Sequence, residues 1–279
     1  MSEADVLLYD VDDGVATITL NRPDRRNAVN AALGQAMNEA LVRAAGDKSV
    51  RALILTGAGD GFCAGGDADR LQDVADGKRQ VGVQISPNEP DPIFQIIPDA
   101  PPELRSRYTF AQAMPIPVIA AVNGPAVGAG LAFALSADIR LASPNAAFMA
   151  GFVRIGAIPE LGLSWTITNL IGLSRARDML ISGRRIDAEE ALRWGLISQI
   201  HPREDLLPAA RTLAREIAQR SSPRSVRHIK KFLRAVPSQS FADAFEMSRV
   251  ETAPALESAD FKEGVSAMRE KRIPNFPRE

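Results

Sequence analysis

Short apolar runs set between turn residues dominate the first two-thirds of the chain, and longer stretches at helical spacing dominate the rest. Val15–Leu20 (V-A-T-I-T-L) alternates enough to predict a strand, and Arg51–Thr56, Val118–Val122 and Ile139–Ala142 read as buried strands. Asn30 stands where a helix cap belongs, ahead of a predicted helix over residues 31–45. A second helix is predicted from Tyr108 to Met114, stopped by Pro115. The glycine-rich turn Asn123–Gly130 leads into a third, Leu131–Ala137. Strand, glycine turn, helix, strand is the rhythm of an α/β fold.

Residues 75–107 break the rhythm. They carry prolines at 87, 90, 92, 98, 101 and 102 and no sustained period. Such a segment reads either as a lid over a site or as an insertion without structure of its own. After Leu163 the pattern predicts helix throughout. A capping box is expected at Asp187–Glu190, and apolar positions fall at helical spacing in 206–218, 226–236 and 241–256. The division that follows is a core over 1–202 and a helical region over 203–279.

Composition narrows the function. The 279 residues can bury a sizeable core, and a net charge of −1 supplies no field to draw nucleic acid or an anionic membrane. There is no apolar run long enough for a transmembrane helix, and the acidic start Met1–Asp5 lacks the apolar stretch of a secretory signal. The lone Cys63 fits a reducing, cytoplasmic setting. With only two histidines besides it, a His/Cys metal site is not expected. His201 and His228 read as surface residues.

Six segments in order carry a resemblance. They are Asn21-Arg22-Pro23 with Asn27-Ala28; Gly61-Phe62-Cys63-Ala64-Gly65-Gly66-Asp67; Pro117–Ala126; Gly128-Ala129-Gly130; Ala137–Ala142; and Ile158-Pro159-Glu160. Glu263-Gly264 and Glu270-Lys271-Arg272 continue them. Together they resemble the crotonase superfamily, the enoyl-CoA hydratase/isomerase family. The resemblance implies an α/β spiral of repeated ββα units, with a helical C-terminal region that packs into trimers or pairs of trimers. It implies an acyl-CoA substrate and no cofactor beyond the coenzyme A of that substrate.

The same resemblance assigns an oxyanion hole to the backbone N–H groups of Gly66 and Ala129. Preorganised amides of this kind stabilise the enolate of a thioester, and a helix N-terminus adds its dipole. The Ala64 carbonyl matches the position that meets adenine. Arg22 and Arg25 (with Arg26) lie near a phosphate-contacting turn, Asp67 borders the site, and Phe261 and Lys271 correspond to residues that meet CoA from a neighbouring subunit. The alternatives stay open: these cations also read as solvated surface charges, and Asp67 also reads as a helix cap.

At the two glutamate positions of the hydratase pattern this chain carries Ala132 and Phe152, neither of which moves a proton. Glu160 remains at a place where similar isomerases hold an acid. A single base there can shift a double bond through a dienolate, inside an apolar wall of Phe152 and Ala132 that would exclude water. A proline followed by glutamate also begins many helices, with the acid facing the dipole. The readings are therefore a double-bond isomerase using Glu160; a hydratase, hydrolase or decarboxylase using other groups; or an acyl-CoA-binding homologue without catalysis.

Overall fold

The computed structural model describes residues 6–78 and 101–277. Its core is a six-stranded sheet in the order β1 (Leu7–Asp12), β2 (Val15–Leu20), β3 (Ala52–Gly57), β4 (Val118–Val122), β6 (Ile139–Ala142) and β9 (Gln199–Ile200). The first pair is antiparallel and the remaining pairs are parallel. A smaller sheet holds β5 (Pro125–Val127), β7 (Ala147–Met149) and β8 (Ile186–Asp187).

Parallel strands read as unbroken apolar runs because both faces are covered. Ile18, Leu53, Leu55, Val118 and Ala120 point into the main core, whereas Val15, Ile54, Ile119 and Ala121 point to the other face. That second face is closed by α6 (Arg203–Arg220) through Leu206, Ala210, Ala214 and Ala218. The four-residue spacing puts these side chains in one row, and three alanines let the helix lie close to the sheet. The helical tract after residue 202 thus begins with a helix that belongs to the core.

On the main-core side, α1 (Ala31–Gly46) is capped as its sequence predicts, with Asn30 Oδ1 accepting the Leu33 N–H at 2.9 Å. The other helices are α2 (Ala68–Ala75), α3 (Ala129–Ser136), α4 (Leu163–Ser182), α5 (Ala188–Trp194), α7 (Pro223–Ala235), α8 (Phe241–Glu257) and α9 (Ala259–Glu270). Asp187 caps α5 by accepting the Glu190 N–H at 2.8 Å, while the Glu190 carboxylate turns to Arg184.

Three expectations are corrected. The helix over 108–114 shrinks to a single 3-10 turn, Phe110–Gln112. The region after Leu163 is not wholly helical, because β8 and β9 each add a two-residue strand. His228 is half-buried, with Nδ1 3.5 Å from a Glu251 carboxylate oxygen. Of the 75–107 segment, residues 79–100 lie outside the described residues. The flanks form the end of α2 and the 3-10 turn Pro102–Leu104.

Candidate functional site

Two loops leave the carboxyl ends of the adjacent parallel strands β3 and β4, where ligand crevices of open α/β sheets form. The first, 57–67, is held by two buried asparagines. Asn27 Nδ2 donates to the carbonyls of Ala58 (2.9 Å) and Gly61 (2.8 Å), and Asn123 Nδ2 donates to those of Gly59 (2.9 Å) and Gly61 (3.2 Å). The loops touch so closely that a methyl group on Gly124 would stand 2.0 Å from the Asp60 carbonyl. Glycine here is a requirement of space.

Farther along, the two loops pair main chain to main chain. Cys63 donates to the Pro125 carbonyl (3.0 Å), and Val127 donates to that of Cys63 (2.9 Å). Gly66 pairs on its other side with Val29: the Gly65 carbonyl accepts from Val29 (2.7 Å), and Asp67 donates to the Val29 carbonyl (3.2 Å). In a parallel bridge of this form, the N–H of the central residue points to the opposite edge. Gly65 takes φ +94°, and a Cβ there would lie 2.8 Å from the Val127 carbonyl and 3.7 Å from the Ala129 nitrogen. Residues 65–66 and 127–129 therefore lie side by side.

Ala129 is the first residue of α3, so its N–H is one of the orphan donors of a helix start, and Gly128 before it has no side chain to cap it. Among the described residues neither the Gly66 nor the Ala129 N–H has a hydrogen-bond partner. Two unpaired amides beside a helix N-terminus make a place for developing negative charge.

Ala132 lies buried on α3, one turn into the helix. Phe152 opens a 3-10 turn, and its ring edge reaches to 3.9 Å from where a Cβ of Gly128 would be, close to the Ala129 amide. Both hydratase-pattern positions thus carry apolar groups near the amide pair. Glu160 sits on the extended link before α4 and is not part of that helix. Leu161 (φ 61°) and Gly162 (φ 70°) are both left-handed, and α4 starts only at Leu163. The reading of Pro159-Glu160 as a helix start with an acid facing the dipole is thereby corrected. A leucine held left-handed is strained, and such strain collects at sites that must aim a group.

Glu160 lines a cavity of about 830 Å³. Its walls are residues 160–166, residues 101–112, and the end of α7 with Met247 of α8. The expected apolar enclosure is not present around the carboxylate itself. Glu160 is exposed on this chain, and Ala132 and Phe152 are not among the cavity walls. Tyr108, which the sequence gave no reason to single out, stacks on Phe133 of α3 with ring centroids 4.9 Å apart. Burial pushes its phenol above the ordinary range, and the charge of Glu160 adds to that push.

The residues matched to CoA contacts scatter in role. Arg22 donates to the Asp67 carboxylate (2.8 Å) and to the Ala28 carbonyl, so its guanidinium is committed inside the fold. Asp67 caps α2 by accepting the Asp69 N–H. Burial opposes its ionisation, but the Arg22 and Asp69 hydrogen bonds, with the charges of Arg22 and Arg25, more than offset that and hold its carboxyl below the usual range. Arg25 is half-exposed and reaches Asp69 at 3.3 Å. The Ala64 carbonyl has no partner among the described residues. Phe261 on α9 and Lys271, the left-handed residue just past its end, are exposed and are not among the cavity walls. Among the described residues, no cluster of three or more His, Cys, Asp or Glu could hold a metal, and no helix is long and apolar enough to cross a membrane.

Comparison with known proteins agrees with this architecture. The sequence family described as enoyl-CoA hydratase/isomerase matches residues 10–87 and 98–279. The chain is 37% identical over 271 residues to a Rhodobacter capsulatus protein named "Probable enoyl-CoA hydratase", covering 96% of both. It is 34% identical over 271 residues to the 1,2-epoxyphenylacetyl-CoA isomerase of Escherichia coli K12, covering 97% of both. The crystal structure of an enoyl-CoA hydratase from Bacillus anthracis superposes with a TM-score of 0.84 at 28% identity, covering 98% of this chain and all of that one.

Proposed function

The chain belongs to the enoyl-CoA hydratase/isomerase family and has its crotonase fold, and from that premise we propose that it shifts a double bond in an acyl-CoA thioester. The Gly66 and Ala129 amides hold the thioester oxygen, and Glu160 moves the proton. The carboxylate of Glu160 takes a proton from the α-carbon of a 3-enoyl thioester. The C–H electron pair moves into the dienolate, whose negative charge falls on the thioester oxygen between the two amides. Glu160 then returns the proton at the γ-carbon, and the double bond ends conjugated to the thioester. Each amide is worth about 3 kcal/mol of barrier by comparison with oxyanion donors removed elsewhere.

One observation carries this reading. Of the two carboxylates on the cavity walls, Glu160 and Glu103, Glu160 stands where similar isomerases hold an acid, while the two hydratase glutamate positions hold Ala132 and Phe152. A 1,3-shift needs one acid/base and no bound water, which matches what the chain offers. The Escherichia coli relative is itself named an isomerase. Coenzyme A enters only as part of the substrate. The Ala64 carbonyl is the group offered to its adenine, and Arg25 is the cation offered to its phosphates.

Hydration is the second reading, favoured by the name of the Rhodobacter relative. It requires a water held by groups other than the two absent glutamates. Trans-2-enoyl and 3-enoyl thioesters assayed side by side separate the two readings. For the isomerase, Glu160→Gln abolishes exchange of the α-proton with D₂O, followed by NMR, and leaves CoA-thioester affinity within about threefold. Exchange at the native rate in that variant removes Glu160 from the mechanism.

The working form we propose is a trimer or a pair of trimers. Phe241 (86% exposed), Leu233 (65%) and Phe245 (59%) present large apolar groups on α7 and α8, and only another surface would remove them from water. In such an assembly the exposed Phe261 and Lys271 can meet the CoA of a neighbouring subunit.

A further inference from the structure

Three consecutive cations on α7 are treated differently by the fold. Lys230 is buried, with its ammonium donating to the carbonyls of Ala111 and Ile116 and to the Asp138 carboxylate at 2.6 Å. Lys231 is also on the cavity wall but pairs with Glu251 at 3.6 Å. Arg234, one turn on, lines the same cavity as Glu160 and has no carboxylate partner among the described residues. Its hydrogen bond there is a long one, from Nη1 to the Gln112 carbonyl at 3.4 Å.

A half-buried guanidinium has five donors in a fixed fork, and those that protein groups leave unmatched on the wall of a partly enclosed cavity are available to a ligand there. Thr109, Gln112 and Ser238 on the same walls add neutral hydrogen-bonding groups. The other acid on the walls, Glu103, is exposed and has no cationic partner among the described residues. It does not occupy the Arg234 fork. At about 830 Å³ the space exceeds what a short acyl chain fills and falls in the range of sites that take whole drug-sized groups.

We propose that the acyl group taken by this cavity ends in a carboxylate, bound by Arg234, while its thioester end lies at Glu160. The proposal rests on the reading of Glu160 and the two amides as the reacting end. It adds that the substrate class is the ω-carboxyl acyl-CoA thioesters. A bidentate arginine–carboxylate pair in a partly enclosed site supplies both affinity and chain-length selection, since the carboxylate must reach the fork when the α-carbon is at the base.

The test compares CoA thioesters of dicarboxylic acids of six, eight, ten and twelve carbons with methyl-ended thioesters of equal length, by calorimetric affinity and by α-proton exchange in D₂O. The wild type is expected to prefer the carboxyl-ended partner by at least about tenfold at one length, a typical strength for a charge-assisted pair. Arg234→Met should reduce that ratio to within about threefold of unity, and Arg234→Lys should keep part of it, with melting curves reporting the fold of each. Equal affinity for both members of every pair in the wild type overturns the proposal, whether or not the variants fold. So does a loss in Arg234→Met that falls equally on both members. Affinity is read without chemistry. If Glu160→Gln retained exchange, the mechanism would fail while the end-group preference was still measured.

Discussion

Replacing Gly130 by alanine tests the amide pair without touching either amide. Gly130 is the second residue of α3, and a Cβ there would stand 2.1 Å from the Cys63 carbonyl oxygen, with the Cys63 Cβ at 2.7 Å. Cys63 cannot retreat cheaply, because its N–H and carbonyl are bonded to Pro125 and Val127. Even to reach a contact of 3.0 Å, the lower limit that real Cβ atoms show, the start of α3 must move off by roughly 0.9 Å. The Ala129 N–H is one residue away and moves with it. A misplacement near 1 Å in a preorganised site costs on the order of 100-fold, or about 2.7 kcal/mol of barrier. Overpacking lowers stability by about 1–3 kcal/mol, offset by up to about 1 kcal/mol of helix propensity. The readouts are α-proton exchange of an acyl-CoA in D₂O, by NMR, and thermal melting. Gly46→Ala serves as the matched control, because a Cβ there meets nothing within 4 Å. A folded Gly130→Ala protein exchanging within about threefold of wild type would refute the placement of the thioester oxygen between the two loops.

Two further outcomes follow from the same region. Asp67→Asn leaves the largely buried Arg22 without its counter-charge and should lower stability by about 3 kcal/mol near neutrality, read by denaturant unfolding. Since the folded carboxyl lies below its ordinary value, the wild-type contribution is fully present above about pH 4 and fades as pH falls through the depressed folded value. The gap between wild type and variant should therefore close in acid, and a pH-independent gap would contradict the pairing. The Cys63 thiol, pushed up to about 12 by burial, should resist a thiol-disulfide reagent at pH 8 until the chain is unfolded. Rapid labelling of the native protein would show that the 61–66 loop opens.

Much of the frame was legible from the sequence because buried parallel strands leave unbroken apolar runs. The ranges for β2, β4 and β6 match the structure, and Asn30 announces α1. The glycines of the two loops were readable as sites of close approach, although only the structure tells which backbone each one lets in. The strands β5, β7, β8 and β9 span two or three residues each, too few for any periodicity to register. The strand β1 was available in the alternation of Tyr9 and Val11 against Asp10 and Asp12, but those aspartates break the apolar run. In the candidate site, Glu160 was singled out by its place in a motif. Its freedom from α4 depends on the left-handed Leu161, which no propensity favours. Arg234 reaches the cavity through tertiary placement alone, from a segment whose local sequence signals surface helix.

The paired bridges Cys63↔Ala126 and Val29↔Gly66 hold the polypeptide at the candidate site by its peptide groups and not by its side chains. Side-chain changes at positions such as 132, 152 and 160 therefore leave intact the main-chain pairing that places the Gly66 and Ala129 amides.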